Sequence, residues 1–306
     1  MTTVLVLGAS GMLGAMVVDW LRRDQSIVVR ASVREPDLLD KASRLAPQVS
    51  WCLLSLPHSS EEEWLTEVQG CDWIINAIGV TKPYIQDSDS AQVKRAIEVN
   101  ALFPHVLAQI AERCEAHVLQ IATDCVFSGQ KGPYSEVSPH DATDVYGKTK
   151  SLGEVHSKKV CHLRCSIIGP ESRRRAFLLE WFLTQPRNAK VSGFTNHVWN
   201  GITTLHFAKL CHGIIRHPLD LPDLQHLVPA DCVTKADLLS DFGDAFRRDD
   251  IDIVPSRASL DLDRTLTTVQ ESINISLWQA AGYPQPPTIV QMLEELAAFD
   301  FQLIGL

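Results

Sequence analysis

The 306-residue sequence predicts an α/β protein: a doubly wound parallel sheet with a smaller, discontinuous C-terminal lobe. Three observations carry this. Apolar runs of strand length alternate with helix-length amphipathic stretches as far as Ser166, and such alternation calls for a parallel sheet with helices on both faces. The first apolar run ends in a glycine turn that opens a helix. Beyond Ser166 the alternation loosens into loops rich in aromatics and amides.

Val4-Leu5-Val6-Leu7 is the core of a first strand near 3–7, and the amphipathic run from Ala15 to Arg23 belongs to a helix near 11–23. Further strands fall near 27–33, 50–54, 72–78, 117–122 and 160–167, with helices near 60–69, 88–114 and 143–158. In the helix from about Ser88, apolar residues Val93, Ile97, Ala101, Leu102, Val106 and Ile110 follow helical spacing, and Pro104 predicts a kink or break. Ser172-Arg173-Arg174-Arg175 opens a helix containing Phe177, Leu178, Trp181 and Phe182, and more helices are expected from Thr203, over 234–247 and over 288–299. The domain reading is residues 1–166 as the sheet domain, with further elements near 201–230. Residues 167–200 and 231–306 form the second lobe, fed by loops from the C-terminal edge of the sheet, where open α/β folds bind ligands.

Composition narrows the function classes. Hydrophobic content of 45% and charged content of 21% are ordinary for a soluble globular protein. A net charge of −9 argues against a nucleic-acid surface, though a local cationic pocket for a small acidic ligand remains compatible with it. No apolar run approaches membrane-spanning length and no leader is evident, so no membrane association and a cytoplasmic location are expected. The eight cysteines lack C-x-x-C pairing and read as reduced. The histidines lack metal spacing; His105, His117 and His162 flank apolar segments and read as structural, and no metal is expected.

Gly8-Ala9-Ser10-Gly11-Met12-Leu13-Gly14, between strand and helix, is a dinucleotide cradle. Its glycines permit the tight turn and let the backbone approach a pyrophosphate on the helix N-terminus. Gly8, Ser10, Gly11, Met12, Leu13 and Gly14 are its candidate contacts. Arg34 stands 20 residues past Gly14, where an acidic residue would bind the ribose hydroxyls of NAD. A cation there suits a 2′-phosphate, so NADP(H) is favoured over NAD(H). Asn76-Ala77-Ile78-Gly79 ends the fourth strand with small residues that let the chain pass under the cofactor, and Asn100 follows in the next helix. That amide binds a backbone carbonyl or a water, or is exposed.

Tyr146 and Lys150 are four apart and emerge from one face of a helix. A lysine ammonium beside a tyrosine brings the phenol closer to working pH, and Thr123 can place a hydroxyl on the same substrate oxygen. This is equipment for proton transfer at a carbonyl oxygen while hydride moves at carbon.

On these residues the chain resembles the extended short-chain dehydrogenase/reductase superfamily, with its Rossmann-type sheet. Within it the chain is most similar to the dTDP-4-dehydrorhamnose reductase-like, sugar-nucleotide-reducing branch. The glycine turn, Asn76-Ala77-Ile78-Gly79, the Tyr146/Lys150 pair and above all Thr123-Asp124-Cys125-Val126-Phe127-Ser128-Gly129, similar to the branch's T-D-x-V-F-x-G signature, carry the resemblance over nearly the whole chain. It implies NADPH-dependent reduction of a 4-keto-6-deoxy sugar on a nucleoside diphosphate, in deoxysugar or polysaccharide precursor biosynthesis, with Thr123, Tyr146 and Lys150 catalytic and Lys150 also on the nicotinamide ribose. Cys125 departs from the Tyr common in rhamnose reductases. It also departs from the Glu that follows Asp in sugar-nucleotide 4,6-dehydratases, and a thiol replaces a carboxyl acid-base poorly, which favours plain carbonyl reduction.

Substrate candidates are Lys82, in a loop overhanging the nicotinamide, Asp124, Cys125, and the loop residues Phe194, Asn196, Trp199 and Asn200, which either stack on and hydrogen-bond the base or sugar or anchor the loop. Arg173, Arg174 and Arg175 either hold a diphosphate or form a solvated helix start. Asp263-Arg264 is a phosphate candidate by resemblance. A homodimer is compatible with this reading. Two alternatives stand beside it: a nucleotide-sugar epimerase with tightly bound NAD, and a non-catalytic regulatory subunit resembling the beta subunit of methionine adenosyltransferase.

Overall fold

The computed structural model describes residues 1–171, 176–217, 219–303 and 305–306. The chain runs β1 (Thr2–Leu7), α1 (Met12–Leu21), β2 (Ile27–Val33), α2 (Pro36–Leu45), β3 (Ser50–Leu53), α3 (Glu61–Val68), β4 (Trp73–Asn76), α4 (Ser90–Ala96), α5 (Phe103–Cys114), β5 (His117–Thr123), α6 (Val145–Leu152) and β6 (Val160–Cys165). It continues through β7 (Ile167–Ile168), α7 (Leu178–Leu183), β8 (Lys190–Phe194), β9 (His197–Trp199), β10 (Ile202–Thr203), α8 (Thr204–Arg216), β11 (Leu224–His226) and β12 (Val233–Thr234). It closes with α9 (Lys235–Ala245), β13 (Asp252–Ser256), β14 (Leu262–Asp263), α10 (Glu271–Ala280) and α11 (Ile289–Ala298).

Seven strands form one parallel sheet in the order β11-β6-β5-β4-β1-β2-β3. The order reverses between β1 and β4, and this is the crevice where doubly wound sheets take ligands. Both faces are covered, as period-two alternation in β1 shows. Val4 and Val6 join a core with α1 and α8, whereas Leu5 and Leu7 join a separate core with α3 and α5. This is the expected doubly wound, Rossmann-type α/β architecture. Smaller pairings, β7 with β10, β8 with β13, and β9 between β12 and β14, arrange the loops beyond the sheet's C-terminal edge.

Several elements differ from expectation. Helix α2, not among the expected helices, opens on Pro36, since proline at a helix start forfeits no hydrogen bond. Helix α10 was not anticipated. The segment expected as one helix over 88–114 is α4, a π-helical stretch over Ile97–Leu102, and α5. The break in the regular ladder lies just before Pro104, whose ring cannot sit in an unbroken one. Helix α6 ends at Leu152, not 158, with Gly153 as its cap. That glycine sits against the π-helical stretch: a Cβ on it would stand 2.0 Å from the Asn100 carbonyl oxygen. The described part of the helix expected from Ser172 is Leu178–Leu183; Ser172, Arg173, Arg174 and Arg175 lie outside the described residues.

Candidate active site

The glycine turn sits at the C-terminal end of β1. Gly8 adopts φ +78°, a conformation that favours glycine, and a Cβ on Gly14 would stand 2.3 Å from the Gly8 carbonyl oxygen. Only glycines let the helix start fold back so tightly. Buried Ser32 on β2 steadies the turn, its hydroxyl accepting from the Gly8 N–H (3.2 Å) and its carbonyl from the Ala9 N–H (2.9 Å). No side chain caps α1, whose first turn is Met12, Leu13 and Gly14, so its N-terminal amides are presented with the dipole's positive end. Met12 and Ser10 are half-buried, and Leu13 turns into the core.

A Cβ on Gly8 would press on Ala77 and Ile78, so the turn and the end of β4 share one wall of the crevice. Asn76 donates to the buried Gln120 side chain on β5 (2.7 Å) and accepts from the Ile78 N–H (3.1 Å), which shapes the segment as far as Gly79. Asn100, expected among the cofactor contacts, is committed elsewhere. Its amide pairs with both the N–H and the carbonyl of Val80 (2.8 Å each) and donates to the Thr149 hydroxyl (3.3 Å). It therefore acts through the loop it fixes, from within the π-helical stretch. Arg34, just past β2, is about half exposed and reaches Glu35 at 3.1 Å.

Tyr146 and Lys150 project from one face of α6, which is capped by Asp144 accepting from the Gly147 N–H (2.8 Å). Lys82 pairs with the same Asp144 carboxylate (2.6 Å), strapping the loop after β4 to the start of the helix. A Cβ on Gly147 would stand 2.3 Å from the Cys125 carbonyl oxygen, so the missing side chain lets α6 seat on the turn after β5. Thr123 ends β5, its hydroxyl 3.2 Å from Asp124 Oδ1 and accepting from the Cys125 N–H (3.1 Å). Thr123 and Lys150 are buried and Tyr146 half-buried; Tyr146 hydrogen-bonds with Thr123, and Lys150 reaches β5 at Ile121, two residues before Thr123.

Their electrostatics differ from expectation in one respect. Burial raises the Tyr146 phenol well above its usual value, Cys125 and Asp124 add to the rise, and a hydrogen bond with Thr123 opposes it. Lys150 does not bring it down. Its Nζ donates to the Ile121 carbonyl (2.9 Å), and burial lowers its own pKa to about 8, partly offset by Glu154 and reinforced by Arg164. The phenol is thus held as an acid, the form that gives a proton.

On the substrate side, burial raises the Asp124 carboxyl against the pull of Arg264, Thr123 and Lys235. Burial also pushes the Cys125 thiol up to about 12, so it stays neutral. Arg264 donates to the carbonyls of Phe127 (2.8 Å) and Ser128 (3.3 Å), tying β14 to the turn after β5. The two amides named as substrate candidates are spent within the protein. Asn196 binds Ala258, Leu260 and Asp261, and Asn200 pairs with the N–H (2.9 Å) and carbonyl (2.7 Å) of Leu266. Trp199 is buried and donates to the Ser166 hydroxyl (2.8 Å), whereas Phe194 is 38% exposed beside His197. Asn196, Trp199 and Asn200 are therefore loop anchors. Lys235 was missed. It opens α9 behind an ordinary capping sequence, and only tertiary structure brings it within reach of Asp124. Among the described residues no cluster of His, Cys, Asp and Glu could hold a metal, and no helix is long and apolar enough to cross a membrane.

The family model described as RmlD substrate binding domain matches residues 1–169. The chain belongs to this family. A dTDP-4-dehydrorhamnose reductase of Streptomyces griseus is 32% identical over 151 residues, 49% of this chain and 43% of that protein. The chain's matches span less than half the length of the curated relatives. Among solved structures, a dTDP-4-dehydrorhamnose reductase from Bacillus anthracis str. Ames in complex with NADP superposes with a TM-score of 0.68, at 16% identity, over 97% of this chain and 99% of that one. A Bacillus cereus UDP-glucuronic acid 4-epimerase in complex with UDP-glucuronic acid and NAD reaches 0.73 at 14% identity, over 99% of each chain. At these identities the superpositions show the shared fold.

Proposed function

We propose that this chain is an NADPH-dependent reductase of a nucleoside-diphosphate 4-keto-6-deoxy sugar, working in the cytoplasm, with NAD(H) the weaker cofactor. The observation that carries the reading is Thr123 at the C-terminal end of β5 in hydrogen-bond reach of Tyr146, with Lys150 one turn further along α6 bound to the Ile121 carbonyl of the same strand. Family membership and the curated reductase relative support it. Residues 1–166 would hold the cofactor, and the lobe of 167–200 and 231–306 the sugar nucleotide.

The residues present fit a dinucleotide. Gly8 and Gly14 have no room for a side chain, α1 starts uncapped, and Arg34 stands past β2 with a guanidinium suited to a 2′-phosphate. When bound, NADPH supplies the hydride. As negative charge grows on the keto oxygen, Tyr146 gives its proton and Thr123 donates a hydrogen bond. Lys150, held by the Ile121 carbonyl, would hold the nicotinamide ribose. The neutral Cys125 thiol offers no carboxyl for dehydration.

The test is a panel of nucleotide 4-keto sugars with NADPH, followed by absorbance. A parallel incubation of nucleoside-diphosphate glucose with added NAD looks for loss of water by mass. One NADPH consumed per keto sugar reduced is expected. Robust dehydration with no NADPH oxidation would move the chain to the lyases. NAD retained through purification would favour an epimerase. Intact Thr123, Tyr146 and Lys150 weigh against a purely regulatory subunit.

A further inference from the structure

Lys235 is the first residue of α9, and it faces the reaction centre from the second lobe. Antiparallel pairing of β12 with β9 sets Val233 opposite Trp199 and delivers Lys235 over the indole, its Nζ 5.2 Å from the ring centroid. It is half-buried, and among the described residues its ammonium makes no hydrogen bond or ion pair.

The position is unfavourable for a cation on three counts. It lies at the positive end of a helix dipole. It is partly removed from water without a counter-ion, which lowers its pKa to about 8. The one carboxylate in the helix's first turn, Asp237, is spent on Thr234 in the capping box. The neighbouring cations are engaged, Lys82 with Asp144 and Arg264 with two carbonyls. Asp124 is within electrostatic reach of Lys235, yet among the described residues the two form no ion pair.

We infer that Lys235 is a substrate-binding residue whose ammonium takes an anionic oxygen of the sugar nucleotide, on its diphosphate or on a carboxylate of its sugar. This rests on the sugar-nucleotide reading above. An incoming anion supplies the missing counter-charge, finds the α9 N-terminus aligned with it, and draws the second lobe onto the sheet edge that carries Thr123 and Tyr146.

The test is calorimetric titration of the full-length chain, wild type, Lys235→Met and Lys235→Arg, with dTDP, UDP, UDP-glucose and UDP-glucuronate, each with NADP present. Loss of a charge-assisted contact should weaken binding about tenfold to a hundredfold in Lys235→Met, with most affinity restored in Lys235→Arg. NADP affinity should stay at the wild-type value, and the melting temperature of Lys235→Met should not fall below that of wild type. Weakening of every nucleotide assigns the diphosphate; weakening of UDP-glucuronate alone assigns a sugar carboxylate. Equal affinities in wild type and Lys235→Met would overturn the inference and leave the sugar-nucleotide reading standing. A wild type that binds none of the four would overturn both.

Discussion

A Cβ built on Gly147 stands 2.3 Å from the carbonyl oxygen of Cys125, far inside contact distance. The two residues fix the approach of α6 to the turn after β5, and so the separation of Tyr146 from Thr123. The obstacle is backbone, which cannot swing aside. Gly147→Ala should therefore shift the helix, at a cost of about 1–3 kcal/mol in stability. Turnover should fall by roughly a hundredfold, the scale of a small misplacement of catalytic groups. Chemical denaturation and steady-state assays check both. Unchanged stability and activity would show that the helix seats on the turn with room to spare.

Tyr146→Phe removes the proton and keeps the ring. Because burial holds the phenol protonated, the tyrosine is poised as the acid, and turnover should drop on the order of 10²–10⁴. NADPH affinity should change little. Near-wild-type turnover in this variant would mean that another group protonates the keto oxygen.

Arg34 spends its guanidinium on Glu35 at 3.1 Å, with both side chains about half exposed. Such a pair is weak, about 0–1 kcal/mol, so a doubly charged ribose phosphate should displace Glu35 without difficulty. Arg34→Asp should weaken NADPH binding about tenfold or more and narrow or reverse the preference over NADH. Paired fluorescence titrations with the two cofactors read this out. Equal wild-type affinities for NADH and NADPH would show that Arg34 is only a surface charge.

The sheet was legible because strands buried on both faces, such as Val4-Leu5-Val6-Leu7, announce themselves as apolar runs. The glycine turn and Thr123, Tyr146 and Lys150 were legible because their chemistry depends on local spacing. What the sequence hid depends on tertiary placement. Pro36, Asp37 and Arg44 carry the start and end signals of α2, but only Leu38 and Ala42 of its residues are buried, so its apolar pattern is faint. Asn196 and Asn200 look like ligand-binding amides, yet their partners, Ala258 and Leu266, lie over 60 residues away in sequence. Lys235 looks like any helix-start lysine until β12 pairs with β9. The influence of Lys150 on Tyr146 was misjudged because helical spacing sets direction but not burial.

The helix that presents Lys235 carries a stored cost that can be removed. On α9, Asp241 Oδ2 is buried without a hydrogen-bond partner. Burial raises its carboxyl to about 6, and Asp237, Asp244 and Asp231 add to the rise. A carboxyl raised above its unfolded value favours the folded state most when protonated, below pH about 4, and loses that advantage as pH climbs through its folded value near 6. At neutral pH the group is therefore a liability, worth about 1–2 kcal/mol once solvent screening is allowed for. Asp241→Asn keeps the shape and removes the charge. Its stability advantage over wild type should be small at pH 4.5, grow through pH 6 and level off above pH 7, in urea unfolding across that range. Because Asp241 touches none of the proposed machinery, NADPH affinity should be unaltered. An asparagine variant no more favoured at pH 7.5 than at pH 4.5 would mean that the carboxylate is solvated or paired in solution, and that α9 bears no such cost.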